Sequence, residues 1–327
     1  MKNESGKDND WNLFDWTNEM MFLKNYERTI QAYDFLVDYS KIYNLYPARA
    51  SQPNPFSNKA MYIIDTLNSL GVKYTIDIFN YDGSNLVWGS GLSEIEHKLV
   101  NIIAEPNPEA TGPAIVFCAH HDVMNVHSEN CQDNGASVCN LLRLANLVKQ
   151  SKESHQRVII LFSDCEESGA KGAKRFARKS NIIKDSSNIK HDIYGEISGV
   201  VNLELTGLGT EIWSDCDSNK NDIELHKKLE KVYEKPIVKL NTPPSDVIAF
   251  RNNYFPSVCI GILPIDELKT KKTWRLCHSL EDTLTKCNRK NMEDFTNFLF
   301  NLTKNQQQET EHGTTGANNQ TKGHLPT

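Results

Sequence analysis

From residue 72 to 79 apolar and polar side chains alternate, the period-2 signature of a strand with one buried face. Denser apolar runs follow at 98–104, 114–119, 157–163, 200–205 and 257–262. Continuous apolar runs of this length suit strands buried on both faces. Around and between them, apolar residues recur at helical spacing, which predicts helices over 16–43, 58–70, 135–150, 169–181, 222–234 and 290–302. The 135–150 helix reads as strongly amphipathic. Strands and helices in alternation predict an α/β fold: a mixed, mainly parallel central sheet with helices on both faces. In such sheets functional groups gather beyond the carboxyl ends of strands.

The ends of the chain differ in character. Residues 1–10 are polar, and residues 304–327 are rich in Gln, Asn, Thr and Gly, so both are expected to be disordered. Residues 11–303 contain no internal repeat and no long linker, which predicts one domain. The 327 residues include 36 Lys and Arg against 42 Asp and Glu, a net charge of −6. That balance gives no support to nucleic-acid or polybasic membrane binding, which needs excess positive charge. Hydrophobic residues make up 39%, enough for a core. No apolar run approaches the roughly 20 residues that span a bilayer, and the first residues lack a secretory apolar stretch. A cytoplasmic protein is expected. Eight cysteines without a Cys-x-x-Cys pair predict reduced thiols and no cysteine-based zinc site.

Several predicted strands lead into residues that bind metals. In AIVFCAHHDV, His120 and Asp122 are two apart and project the same way, so the carboxylate can orient the imidazole. Ordinary polar surface or core packing explains such a pair equally well, and His121, on the opposite face, reads as structural. In ENCQDNGASVCNLLRLANLV, Asp133 precedes a helix, where it could serve as a cap or a metal bridge. In RVIILFSDCEESGAKGAKRFA, Glu166 and Glu167 follow a strand and precede a helix. Adjacent residues there would project oppositely, giving one metal ligand and one free base, although acids also favour helix N-termini. Glu204 sits in the apolar run VVNLELTGLG, where an unpaired carboxylate is costly. WRLCHSLEDTLTK adds His278 and Asp282.

The ordered set AHHD, QDNGAS, CEESG, NLELTG and HSLEDT resembles the M28 family of zinc aminopeptidases, in the co-catalytic zinc exopeptidase clan, over about residues 101–288. The resemblance implies a zinc-exopeptidase-like fold. It also implies two zinc ions, one held by His120, Asp133 and Glu204 and the other by Asp133, Glu167 and His278. Cobalt or manganese also suits such mixed donors. Glu166 would be the general base, activating a metal-bridged water to hydrolyse the N-terminal bond of a peptide or small amide. Asp122, Asp246 and Asp282 would support the ligands from behind. Three positions depart from the family pattern: Glu204 replaces the usual Asp, Val247 replaces the His of Ser-Asp-His-x-x-Phe, and Cys131-Gln132 stands where a Gly is usual. The segment from Glu204 to His278 is too short for the inserted dimerisation domain of M20-type peptidases, on the order of 100 residues. Two other activities fit the same fold: a glutaminyl cyclase-like, single-zinc acyl transfer, and non-catalytic binding. Tyr254, Phe255 and Trp274 are candidate substrate contacts, although packing explains them as well. The oligomeric state is open.

Overall fold

A computed structural model describes residues 30–42, 56–80, 98–125, 127–180, 194–215, 219–270 and 275–305. In chain order its elements are α1 (Ala32–Tyr39), α2 (Asn58–Ser69), β1 (Lys73–Asn80), β2 (Lys98–Glu105), β3 (Ala114–His120), α3 (Ala136–Gln150), β4 (Val158–Ser163) and α4 (Lys171–Ser180). There follow β5 (Ile197–Leu203), β6 (Glu211–Asp215), α5 (Lys220–Tyr233), β7 (Val238–Lys239), α6 (Val247–Arg251), β8 (Ser257–Leu263), α7 (Ile265–Thr270) and α8 (Arg289–Thr303). Polar caps start several helices: Ser57, Asn219 and Asn288 accept from the backbone N–H groups of Ala60, Asp222 and Asn291.

The strands form one mixed sheet in the order β1-β2-β4-β3-β5-β8-β6-β7. Its centre, β4-β3-β5-β8, is parallel, and antiparallel pairs flank it. The apolar runs explain why those strands are central. In β3, Ile115, Phe117 and Ala119 enter one apolar cluster, while Ala114, Val116 and Cys118 enter another on the opposite face. The first cluster includes residues of α1, α2, α3 and α8; the second includes residues of α4 and α6. This is the two-sided burial that continuous apolar runs predict.

Two elements differ from the sequence expectation. β1 forms, but it is an edge strand with no buried residue, and Ile76 and Ile78 are exposed. Its charged Asp77 pairs with Arg175 and Lys179 of α4 at 2.8 Å. α3 is amphipathic in sequence, but it is buried nearly all round. α1 and α8 cover the face that the sheet does not, and several of its polar residues pair internally. Asn140 donates to Thr206 at 2.8 Å and accepts from Thr296 at 3.0 Å, and Arg143 meets Glu293 at 3.3 Å. The predicted 16–43 helix appears as α1, its part before residue 30 lying outside the described residues. Short β6, β7, α6 and α7 carry too few residues for a periodic signal. Lys304 and Asn305 still bond back to the body, and the rest of the expected tail lies outside the described residues. The cysteines at 118, 131, 139, 165, 259, 277 and 287 are free thiols, as expected; Cys216 lies outside the described residues. No described helix is long and apolar enough to cross a membrane.

Lys59, in α2, is only 1% exposed. Its ammonium donates to the Glu129 carbonyl at 3.1 Å and lies 4.3 Å from the Tyr39 ring centroid. Burial lowers its pKa from 10.5 to about 8. The unfolded chain therefore holds this proton up to pH 10.5, whereas the native state releases it from about pH 8. The burial penalty is complete below pH 8 and fades as pH rises through that window. Relative to Lys59→Met, the wild type is expected to gain about 3 kcal/mol between pH 8 and 10.5. Denaturant melts of both proteins across that range measure it, and a constant difference would contradict it.

Candidate metal centre

The carboxyl ends of β3, β4 and β5 and the loop before α8 converge on one cleft, with a cavity volume of about 270 Å³. His120 ends β3. Its Nδ1 lies 3.3 Å from Asp122 Oδ1, and its Nε2 lies 3.3 Å from Asp133 Oδ1 and 3.6 Å from Glu204 Oε2. Across the cleft, His278 Nε2 lies 3.3 Å from Asp133 Oδ2 and 2.9 Å from Glu167 Oε2. Asp133 thus turns one carboxylate oxygen to each histidine. Its ligand atoms form two clusters, one with His120 and Glu204 and one with Glu167 and His278, each within 4.8 Å. Glu166 forms a third grouping with His120 and Glu167.

Backbone geometry sets these positions. Asp133 lies in a five-residue turn, Cys131–Gly135, ahead of α3, and the Asp133-Asn134 peptide is cis. It does not cap the helix: neither the turn nor α3 has a side-chain cap. Glu166 and Glu167 are not strand residues projecting oppositely. They sit in a turn beyond β4, and both line the cleft. Glu204 stands just past β5 rather than within it. Cys165, Leu205 and His278 have φ of 61°, 56° and 60°, a left-handed conformation that bulky residues rarely adopt. Each is a site residue or its direct neighbour, where such strain characteristically collects.

Asp122 and Asp282 hold the backbone around the ligands, and Asp122 also faces a ligand histidine. Asp122 accepts the N–H groups of Glu166 and Glu167 at 3.0 and 3.1 Å while facing His120. Burial works against its charge, but His120 and these donors hold its pKa below the usual carboxylate range. Asp282 accepts the N–H groups of Gln132 and Asp133 at 2.6 and 2.9 Å, and burial raises its pKa to about 6. Asp246 is fully buried, bonded to the Ser163 hydroxyl and 3.6 Å from the Cys118 thiol. Burial raises its pKa to about 7. His121 turns away and bonds to the Val100 carbonyl at 2.9 Å.

The departures from the family pattern find local partners. Val247 packs in an apolar cluster with Leu205, Trp213 and Leu263. Gln132 clasps the loop beyond Glu204, donating to Leu205 O at 3.1 Å and accepting from Gly207 N at 3.0 Å. Gly261 lets β8 pass beneath that loop, since a Cβ there would lie 1.9 Å from Glu204 O. Two amides escaped the sequence reading. Asn134 donates to Glu204 Oε2 at 2.8 Å and Asn202 to Oε1 at 3.2 Å. The sequence signal for Asn202 is a polar residue in an apolar run, two positions before Glu204 and hence on the same strand face. Tyr254 is 90% exposed, and Phe255 packs against the apolar cluster beneath α4; neither lines the cleft. Trp274 lies outside the described residues.

Mixed imidazole and carboxylate donors suit zinc and other borderline divalent cations. Burial raises the pKa values of Glu166, Glu167 and Glu204, neighbouring carboxylates such as Asp122 and Asp133 add to the rise, and His120 opposes it. Glu167 Oε1 is buried with no hydrogen-bond partner in the structure. The residues fit a metal centre.

The sequence matches the model of peptidase family M28 over residues 101–303. The chain belongs to peptidase family M28. Membership of this family supports a metal-dependent enzyme. Its fold resembles a glutaminyl cyclase of Porphyromonas gingivalis, with TM-score 0.65, 16% identity and coverage of 83% of this chain and 96% of that one. A zinc aminopeptidase of Bacillus subtilis, BSAP, gives TM-score 0.62 and 13% identity, with coverage of 83% and 93%. A Bacteroides thetaiotaomicron glutaminyl cyclase bound to N-acetylhistamine gives 0.63 and 17%, with coverage of 85% and 97%. At these identities the likeness is one of fold. No curated protein sequence matches.

If Asp282 sets the Asp133 backbone, Asp282→Ala leaves two buried N–H groups without their acceptor. Metal affinity is expected to fall about 10- to 100-fold, as when other supporting residues of metal ligands are removed. Competition with a chromophoric chelator measures it; an unchanged affinity would refute the role.

Proposed function

We propose that this M28 protein is a zinc-dependent aminopeptidase, hydrolysing the N-terminal bond of a peptide or small amide. The observation that carries this reading is the sharing of Asp133, whose two oxygens face different histidines within two adjacent donor sets. His120, Asp133 and Glu204 would hold one ion, and Asp133, Glu167 and His278 the other. When bound, the ions supply Lewis acidity toward a carbonyl and toward water.

The protein's own groups do the rest. Glu166 lines the cleft but belongs to neither of the two donor sets that share Asp133, which leaves it to act on a proton. It takes the proton of the attacking water and returns it to the leaving amine nitrogen. Burial and the charges of Glu204 and Asp246 raise its proton affinity, while His120 opposes them. Leu205, Pro243, Pro244 and Cys259 wall the cleft beside these groups.

The test joins metal analysis to a substrate panel of aminoacyl amides and peptides with N-terminal glutamine, before and after chelation. Two ions per chain and amine release lost on chelation are expected. One ion with pyroglutamate formation would establish the cyclase reaction instead. Metal binding without turnover of any substrate would support a binding protein.

A further inference from the structure

We infer that Asn202 is a positioning residue that holds Glu204 in place for one of the two ions; this rests on the two-metal reading above. Asn202 lies in β5 and Glu204 directly after its last residue, and their side chains meet there. Both are buried, Asn202 completely. The Asn202 amide nitrogen donates to Glu204 Oε1 and to Ser245 Oγ, each at 3.2 Å, and lies 3.6 Å from Cys259 Sγ.

The opposite side of the carboxylate is held too. Asn134 Nδ2 donates to Glu204 Oε2 at 2.8 Å and to the Leu203 carbonyl at 2.9 Å. The two amides therefore grip one oxygen each. A glutamate has one more rotatable bond than the aspartate usual at this position, so its carboxylate needs more restraint to face His120 at 3.6 Å.

The amide orientations have a cost that shows what they serve. Asn202 Oδ1 and Asn134 Oδ1 are both buried without a hydrogen-bond partner in the structure. A buried acceptor left bare is unfavourable. Turning either amide over would set its oxygen against a Glu204 carboxylate oxygen. Both side chains instead commit their donors to Glu204. Asn140, equally buried but satisfied at both ends, is the natural control.

The experiment titrates metal-free protein with zinc by calorimetry and records the visible spectrum of the cobalt-substituted form. Wild type, Asn202→Leu, Ser245→Ala and Asn140→Leu are compared, with the thermal midpoint of each metal-free protein. Two binding steps are expected for the wild type. In Asn202→Leu one step should weaken about 10- to 100-fold and the other should not move, with a changed cobalt spectrum. Ser245→Ala, which removes the second acceptor of the Asn202 amide, should weaken the same step several-fold and keeps the test open if Asn202→Leu fails to fold. Asn140→Leu should lower the midpoint and leave the ratio of the two affinities alone. If folded Asn202→Leu or Ser245→Ala keeps the wild-type ratio and spectrum, the inference is overturned. A single binding step in the wild type would overturn the two-metal reading, and this inference with it; the wild-type titration alone distinguishes that failure.

Discussion

Glu166→Gln is expected to lower kcat by about 100- to 10,000-fold while leaving metal content at the wild-type level. The substitution keeps the shape of the side chain and removes its ability to accept a proton. Glu166 lines the cleft beside His120 and Glu167 but belongs to neither of the two donor sets that share Asp133. Its backbone N–H, fixed by Asp122, does not change with the side chain. Metal should therefore stay bound and KM should move little, because the loss falls on proton transfer in the transition state. Steady-state kinetics and metal analysis of the same preparation measure both quantities. Loss of metal along with rate would make Glu166 a ligand in the third grouping and leave the base unassigned.

Asp133→Asn is the second large effect, and it acts through metal rather than protons. The amide keeps one oxygen but presents nitrogen to the other histidine and carries no charge. Both donor sets share this residue, so both affinities should fall by at least about 100-fold, the upper end of what supporting residues cost. Turnover should drop below detection. His278→Ala removes a ligand from one set only and should cost one ion. Equilibrium dialysis against zinc separates the two outcomes. Two ions retained by Asp133→Asn would mean that the carboxylate does not bridge.

The sheet was legible in the sequence because its central strands carry unbroken apolar runs, which few other structures accommodate. The β3 run divides between two apolar clusters by strict alternation, as its composition demands. The edge of the sheet was less legible. β1 alternates like a half-buried strand yet buries no residue fully, because burial depends on what lies across from it. α3 misled in the opposite sense: its polar residues suggested a solvent face, but they meet Thr206, Thr296 and Glu293 from distant parts of the chain.

The candidate ligands themselves were visible as residue types at strand ends and loops. Residue types, order and local spacing were enough to nominate His120, Asp133, Glu166, Glu167, Glu204 and His278 and to set Asp122 behind His120; the resemblance to family M28 added Asp246 and Asp282. What only the tertiary structure decided is which oxygen faces which nitrogen. His120 and His278 are far apart in sequence, and their approach to opposite sides of Asp133 depends on sheet order and on the loop that Asp282 anchors. The grip of Asn134 and Asn202 on Glu204 is likewise a matter of three dimensions. Local sequence limits what a side chain can do through its chemistry and the face it projects from, but distances between remote residues are set by packing, and catalysis depends on those distances.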